Sequence, residues 1–316
     1  MGGRVGLGLV PSGSERSVQE RCDGEVGGGP FTIAAVGEGG DMERLEVDGV
    51  VLEYAVEGSG EPVLLIHLSM LADGLSRPLL EEGSLPSLYR VISYHRRGYV
   101  GSTVGTPPVS VQRQAADAVA LLDHLGVERA HVCGHSYGAV IALQLAADRP
   151  DLVHSLAMLE PALQMVPSGR AHLERNVFPA VEHYRSGDKR AALETFLTGV
   201  FGRQGWEKAV ETAVPGALDQ AVADADMYFG VEIPAIRQWT FGPEQAAKVT
   251  QPVLSVVGTE SVPLFVDGRQ QLHSWFNQTE DFDLQGATHM LQLENAPGMA
   301  RGLIDFFRRH PIPAPD

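Results

Sequence analysis

The chain has 316 residues and a formal charge of −16, with 40 acidic side chains against 24 basic ones. That balance excludes nucleic acid and anionic membrane as partners, because both demand clustered Lys and Arg. Hydrophobic residues make up 44%, enough for a large core, and the length fits one α/β domain with an inserted subdomain.

Residues 1–41 are rich in Gly, Ser, Arg and Glu. They cannot bury enough apolar surface to hold themselves together, so a disordered N-terminal extension is expected, with folding from Met42. Glycine interrupts the first ten residues too often for a secretory signal, and no apolar run reaches bilayer length. Of two cysteines, Cys22 falls in the leader and Cys133 in a core strand. No disulfide and a cytoplasmic location are therefore expected.

Residues 45–47 and 50–56 alternate like strands around Asp48-Gly49, a strong hairpin signal. Residues 62–67 form a short apolar run ending in polar residues, of the kind buried on both faces of a parallel sheet. A further strand at 89–94 and an amphipathic helix at 111–125, closed by Gly126, follow. Strands are expected again at 130–133 and 155–159, with an Ala- and Leu-rich helix over 139–147 between them. This alternation predicts an α/β fold with a doubly wound, mostly parallel sheet. Residues 163–248 carry only helical patterns. They are expected to form a helical cap, inserted after strand 6 into a core made of residues 42–162 and 249–316. The alternation resumes at 252–258, and a last helix is expected over 296–307.

Gly134-His135-Ser136-Tyr137-Gly138 fits G-x-S-x-G, the strained turn that lifts a serine from a buried strand toward substrate. Its flanking positions must lack side chains, and glycine fills both. Serine needs an adjacent base, itself oriented by an acid, and the expected chain order is Ser, acid, His. Of eleven histidines, His289 lies between the late strand-like run and the final helix, where an imidazole reaches back over the sheet edge. His67 and His135 read as structural, and His172, His183 and His310 as surface residues.

The serine motif, the late Gly286-x-x-His289, the cap position and the final helix together resemble the α/β-hydrolase fold family, from about residue 43 onward. The resemblance implies that the loop after the third strand supplies an oxyanion donor. The family reads His-Gly there, this chain His67-Leu68-Ser69-Met70. The backbone N–H groups of Leu68 or Ser69, with that of Tyr137, are the expected donors. An altered Asp-x-Arg-Gly-x-Gly-x-Ser stretch, His95 to Ser102, implies scaffolding, with no catalytic role for His95. Most members place an aspartate after the seventh strand; the matching stretch here is Gly258-Thr259-Glu260-Ser261. Glu160, at the end of the strand beside the nucleophile's, is therefore the expected acid, and Glu260 the alternative.

An acid after the sixth strand is similar to that of some haloalkane dehalogenases and of the fungal lactonases that open zearalenone. Dehalogenases use an aspartate nucleophile, against which Ser136 argues. The resemblance implies a serine hydrolase acting through an acyl-enzyme on an ester or lactone of a hydrophobic small molecule, a zearalenone-like macrolactone among them. C–C bond hydrolysis, cofactor-free peroxidation and a slowly hydrolysing ligand receptor are the alternatives. Trp239, in the cap's last segment, is the expected substrate contact, offering an apolar face and one N–H donor. No metal motif or nucleotide fingerprint occurs, so no cofactor is expected. A homo-oligomer stays open.

Overall fold

Asp48 and Gly49 both take positive φ, 48° and 74°, and fold strand β1 (Glu43–Val47) back antiparallel onto β2 (Val50–Glu57). The twist of such a turn matches that of the paired strands. The computed structural model describes residues 42–313. The expected N-terminal extension, Cys22 included, lies outside the described residues.

Six more strands follow: β3 (Pro62–Ile66), β4 (Arg90–Tyr94), β5 (Ala130–His135), β6 (Val153–Leu159), β7 (Val253–Gly258) and β8 (Thr279–Leu284). They form one eight-stranded sheet in the order β1-β2-β4-β3-β5-β6-β7-β8. The first two pairings are antiparallel and all from β4 onward are parallel. The expected mostly parallel, doubly wound sheet is thus observed. Every parallel strand ends at the same edge, where sites of open α/β sheets lie.

Strand side chains alternate between two cores, the period of two that a strand imposes. Leu64, Ile66, Val132, Leu156 and Met158 face a core closed by α2 (Val111–His124) and α3 (Tyr137–Asp148). Val63, Leu65, Cys133, Ala157 and Leu159 face a second core on the opposite side. There the covering helices are α1 (Ser76–Glu82), packed below β3, and the C-terminal helix, Gln292–Arg309. That last helix breaks at Asn295, whose φ is −145°. The Asn295 side chain accepts the Gly298 N–H at 2.9 Å, so the regular helix starts at about the expected residue 296, with Asn295 as its N-cap.

Between β6 and β7 the described chain is helical and strand-free: α4 (Gly169–His172), α5 (Phe178–Arg185), α6 (Lys189–Phe201), α7 (Trp206–Ala213), α8 (Ala217–Ala223), α9 (Ala225–Met227), α10 (Ile233–Gln238) and α11 (Pro243–Ala246). Two π-helical turns, Leu173–Val177 and Tyr228–Glu232, join α4 to α5 and α9 to α10. The apolar residues of these helices, with Trp206 at their centre, pack with Leu68, Met70 and Leu71 from the loop after β3. Helix α12 (Pro263–Trp275), between β7 and β8, was not anticipated from periodicity and adds Leu264, Phe265 and Leu272 to the first core. The C-terminal helix becomes α13.

Helix α3 crowds the ends of β5 and β3 so closely that two glycines, Gly134 and Gly138, have no space for a Cβ. One built at Gly138 would stand 2.1 Å from the Ile66 carbonyl oxygen and 2.5 Å from that of His67. Both obstacles are backbone in central elements and cannot step aside. Gly138→Ala is expected to cost about 3 kcal/mol, the upper range for overpacking a core, read as a lowered denaturant midpoint with unchanged slope.

Candidate active site

Ser136 stands on the turn from β5 into α3 with φ 56° and ψ −115°, a conformation that few non-glycine residues adopt. Two hydrogen bonds hold it there: its N–H donates to the Leu159 carbonyl at 2.9 Å, and its carbonyl accepts the Ala162 N–H at 3.2 Å. The strained serine is thus tied to the end of β6, the strand that also delivers Glu160.

Glu160 follows β6 directly, again with positive φ, 45°, and is fully buried. Its Oε2 accepts from His289 Nδ1 at 2.6 Å, and its Oε1 accepts the Gly258 N–H at 2.8 Å and the Ser261 hydroxyl. Burial pushes the carboxyl up from the usual range, opposed by the donors Ser261 and Gly258. The carboxylate fixes the imidazole tautomer, with the proton on Nδ1 and a free lone pair on Nε2. The His289 ring stacks face to face on Phe265, centroids 3.8 Å apart at 4°, and meets His135 edge-on. Its backbone carbonyl accepts from His135 Nε2 at 3.1 Å. Burial holds its pKa well below the ordinary 6.5, so the ring is neutral at neutral pH.

Ser136 and His289 line the same cavity, together with Leu68, Ser69 and Tyr137. No hydrogen bond joins Ser136 to His289 among the described residues; such bonds commonly shorten only once substrate is bound. Among those residues, neither the Leu68 nor the Ser69 N–H has a protein acceptor, and the Tyr137 N–H opens α3, where a helix leaves donors unpaired. Glu260 is not brought to the imidazole. Its side chain is 57% exposed and stands 3.7 Å from Arg203.

Sequence reasoning missed the brace under the loop after β3. Arg96, fully buried, donates from Nε to the His67 carbonyl at 3.1 Å and from its terminal nitrogens to the Leu68 carbonyl, also at 3.1 Å, and to Gln114 at 2.7 Å. It also pairs with Glu232 of the second π-helical turn, and Glu232 accepts the Ser69 hydroxyl as well. The guanidinium lies over the rings of Tyr99 and Tyr137. The loop that lacks the family's glycine is therefore shaped by two carbonyl contacts and a carboxylate. Met70 carries its tight turn at φ 66°. Consistent with a structural reading, His95 lies between Glu53 and Asp73, at 3.2 and 3.0 Å.

Two expectations need correction. Trp239 does not line the cavity: its indole N–H donates to Gln144 at 2.8 Å and its ring stacks on Phe241. Both its apolar face and its donor are thus used within the core. His172 is not a surface residue. It is half-buried, lines the cavity, and burial with the nearby His289 lowers its pKa to about 4. His183 is exposed as expected, and His310 is half-buried against Glu280.

A family model for the α/β hydrolase fold matches residues 69–296. The chain belongs to that family. It is 36% identical over 133 residues to a fluoroacetate dehalogenase of a Burkholderia species, covering 39% of this chain and 41% of that one. It is 28% identical over 123 residues to 3-oxoadipate enol-lactonase 2 of Acinetobacter baylyi, covering 39% and 46%. The chain spans less than half the length of these two curated relatives. The enol-lactonase structure from Burkholderia xenovorans LB400 superposes with a TM-score of 0.71 at 21% identity, over 84% of this chain and all of that one, and shows the same fold. No helix among the described residues is long and apolar enough to cross a membrane.

Removing one partner of a buried ion pair leaves the other charge uncompensated, at about 3–5 kcal/mol. Glu232→Ala is expected to lose that much in urea unfolding. The exposed Glu260→Ala should stay within about 0.5 kcal/mol of wild type.

Proposed function

We propose that the protein is a serine hydrolase that cleaves a carboxylic ester or lactone of a hydrophobic small molecule. The observation that carries this reading is the buried Glu160–His289 contact of 2.6 Å, on a cavity shared with Ser136 and three candidate oxyanion donors. In this reading Ser136 Oγ attacks the carbonyl carbon as His289 Nε2 takes its proton. The negative charge that develops on the carbonyl oxygen is met by the N–H groups of Leu68 or Ser69 and of Tyr137. Glu160 supports the imidazolium. His289 then protonates the leaving alcohol and, as base again, activates water to release the acid. A lactone would leave as one ring-opened hydroxy acid.

The walls argue for apolar substrate: Val177, Phe196, Val200, Phe201, Ile233 and Ile236 surround the polar cluster. The cavity measures about 40 Å³, space for a few water molecules. A small ester needs modest side-chain movement to enter, whereas a macrolactone requires the cap helices bearing these residues to withdraw.

Ser136→Ala should abolish release of 4-nitrophenol from short 4-nitrophenyl esters, and Glu160→Gln should lower turnover by about four orders of magnitude. Glu260→Gln should leave turnover near wild type. Ester cleavage surviving in Ser136→Ala would favour a route without an acyl-enzyme, and release stopping near one equivalent would favour a receptor.

The base also has a predicted pH signature. Burial weakens proton binding by His289 and raises the Glu160 carboxyl to about 7, so the acid limb of kcat/KM belongs to the pair and not to the ring alone. Activity should fall as the pH drops through the region where the pair takes up its proton, and should run level above it. A profile that rises toward acid contradicts the assignment.

A further inference from the structure

His172 ends α4, where the chain enters the first π-helical turn. Asn176, within that turn, donates from Nδ2 to His172 Nδ1 at 3.0 Å and to the Gly199 carbonyl at 3.5 Å. The carbonyl can only accept, which identifies the Asn176 atom as the amide nitrogen and makes His172 Nδ1 an acceptor. The neutral ring must then carry its proton on Nε2. The seat is specific: a Cβ at Gly199 would stand 2.3 Å from Asn176 Cγ, so glycine lets the amide settle against α6. Among the described residues Nε2 has no hydrogen-bond partner.

The same ring stands on a boundary. His172 and Leu264 line the catalytic cavity and also a polar outer groove of about 910 Å³, which includes Ser168, Arg175, Thr195 and Thr198. Anything longer than the cavity that reaches out to this groove must pass the imidazole. A second imidazole beside His289 could have served as a base. The Asn176 hydrogen bond occupies its Nδ1 lone pair and leaves Nε2 as a donor only.

We propose that His172 is a specificity-determining residue, whose Nε2–H donates to an acceptor oxygen on the part of the substrate that extends from the cavity into the outer groove. The preferred substrates are then esters or lactones with a carbonyl or ether oxygen a few bonds from the scissile carbonyl. This rests on the hydrolase reading above and deepens it.

The test uses two matched pairs of esters, 4-nitrophenyl pentanoate with its 4-oxo analogue, and butyl butanoate with 2-methoxyethyl butanoate. Each is assayed with wild type, His172→Phe, His172→Gln and the exposed control His183→Phe. The readout is the kcat/KM ratio within a pair. Comparing each variant's ratio with the wild-type ratio removes the intrinsic reactivity of the esters.

One neutral hydrogen bond is worth about three- to tenfold in that ratio. In at least one pair, His172→Phe should lose this preference while His183→Phe keeps it. Gln places an amide N–H near the imidazole Nε2, so His172→Gln should restore part of it. A merely structural role would lower both members of a pair alike. Ratios in His172→Phe equal to wild type in both pairs overturn the proposal, as does the same loss in His172→Gln as in His172→Phe. Should His172→Phe fail to fold, the ratio in His172→Gln against Asn176→Leu decides. A lower ratio with Asn176→Leu supports the tautomer lock, and equal wild-type ratios overturn it. If wild type cleaves no ester at all, the hydrolase reading fails instead.

Discussion

The carboxylate of Glu160 has no exposed surface and no arginine or lysine among its hydrogen-bond partners. An unpaired buried charge of this kind costs several kcal/mol, so three donors converge on it: the His289 ring, the Ser261 hydroxyl and the Gly258 N–H. Two come from the end of β7 and the turn after it and the third from the loop after β8, and Glu160 itself reaches the junction only by taking positive φ at the end of β6. The neighbouring order β5-β6-β7-β8 is what makes this convergence available.

The position after β7, where a carboxylate is usual in the resembling family, holds Ser261, and the serine is not idle. Its hydroxyl donates to the carboxylate that has moved one strand over. The exchange keeps one oxygen acceptor facing His289 and turns the old acid position into a donor that favours the ionised form. Gly258 belongs to the same arrangement: a Cβ there would meet the Ala287 carbonyl at 2.2 Å, so the β7 turn can close over Glu160 only without a side chain.

Much of this was legible in the sequence because it depends on short-range constraints. The hairpin at Asp48-Gly49, the apolar β3 and β5 runs and the strained Ser136 turn each follow from local sterics or period-two burial. Glu160 stood out as a carboxylate between apolar residues and a proline. What stayed hidden lies in pairings between distant segments. Arg96 sits within a motif read as scaffolding, and its partner Glu232 is 136 residues away, so no local pattern joins them. His172 falls in a polar stretch and gains its burial only when the helices between β6 and β7 pack together. Trp239 misled for the converse reason: its amphipathic side chain suits a binding wall, but Gln144 on α3 satisfies the same N–H. Helix α12 begins at Val262 without a polar N-cap, and its single apolar face gives a weak signal.

The Arg96–Glu232 pair has a consequence for how substrate enters. Glu232 belongs to the helical segment between β6 and β7, yet it holds Ser69 in the loop after β3 through a hydroxyl contact. Pulling the second π-helical turn away would strip Ser69 of its acceptor and leave a fully buried guanidinium without its counter-charge, so opening there is energetically opposed. The first π-helical turn carries no such tie among the described residues. It has Val177 on the cavity wall and His172 just before it, next to the outer groove. Single π turns fall where helices depart from regular geometry for function, and here the two differ in kind. One is anchored by charge to Arg96, which braces the loop after β3, and the other is held mainly by packing and the Asn176 contact. The contacts to the loop after β3 therefore lie on the Glu232 side, and the first π-helical turn has no equivalent ion pair to that loop among the described residues.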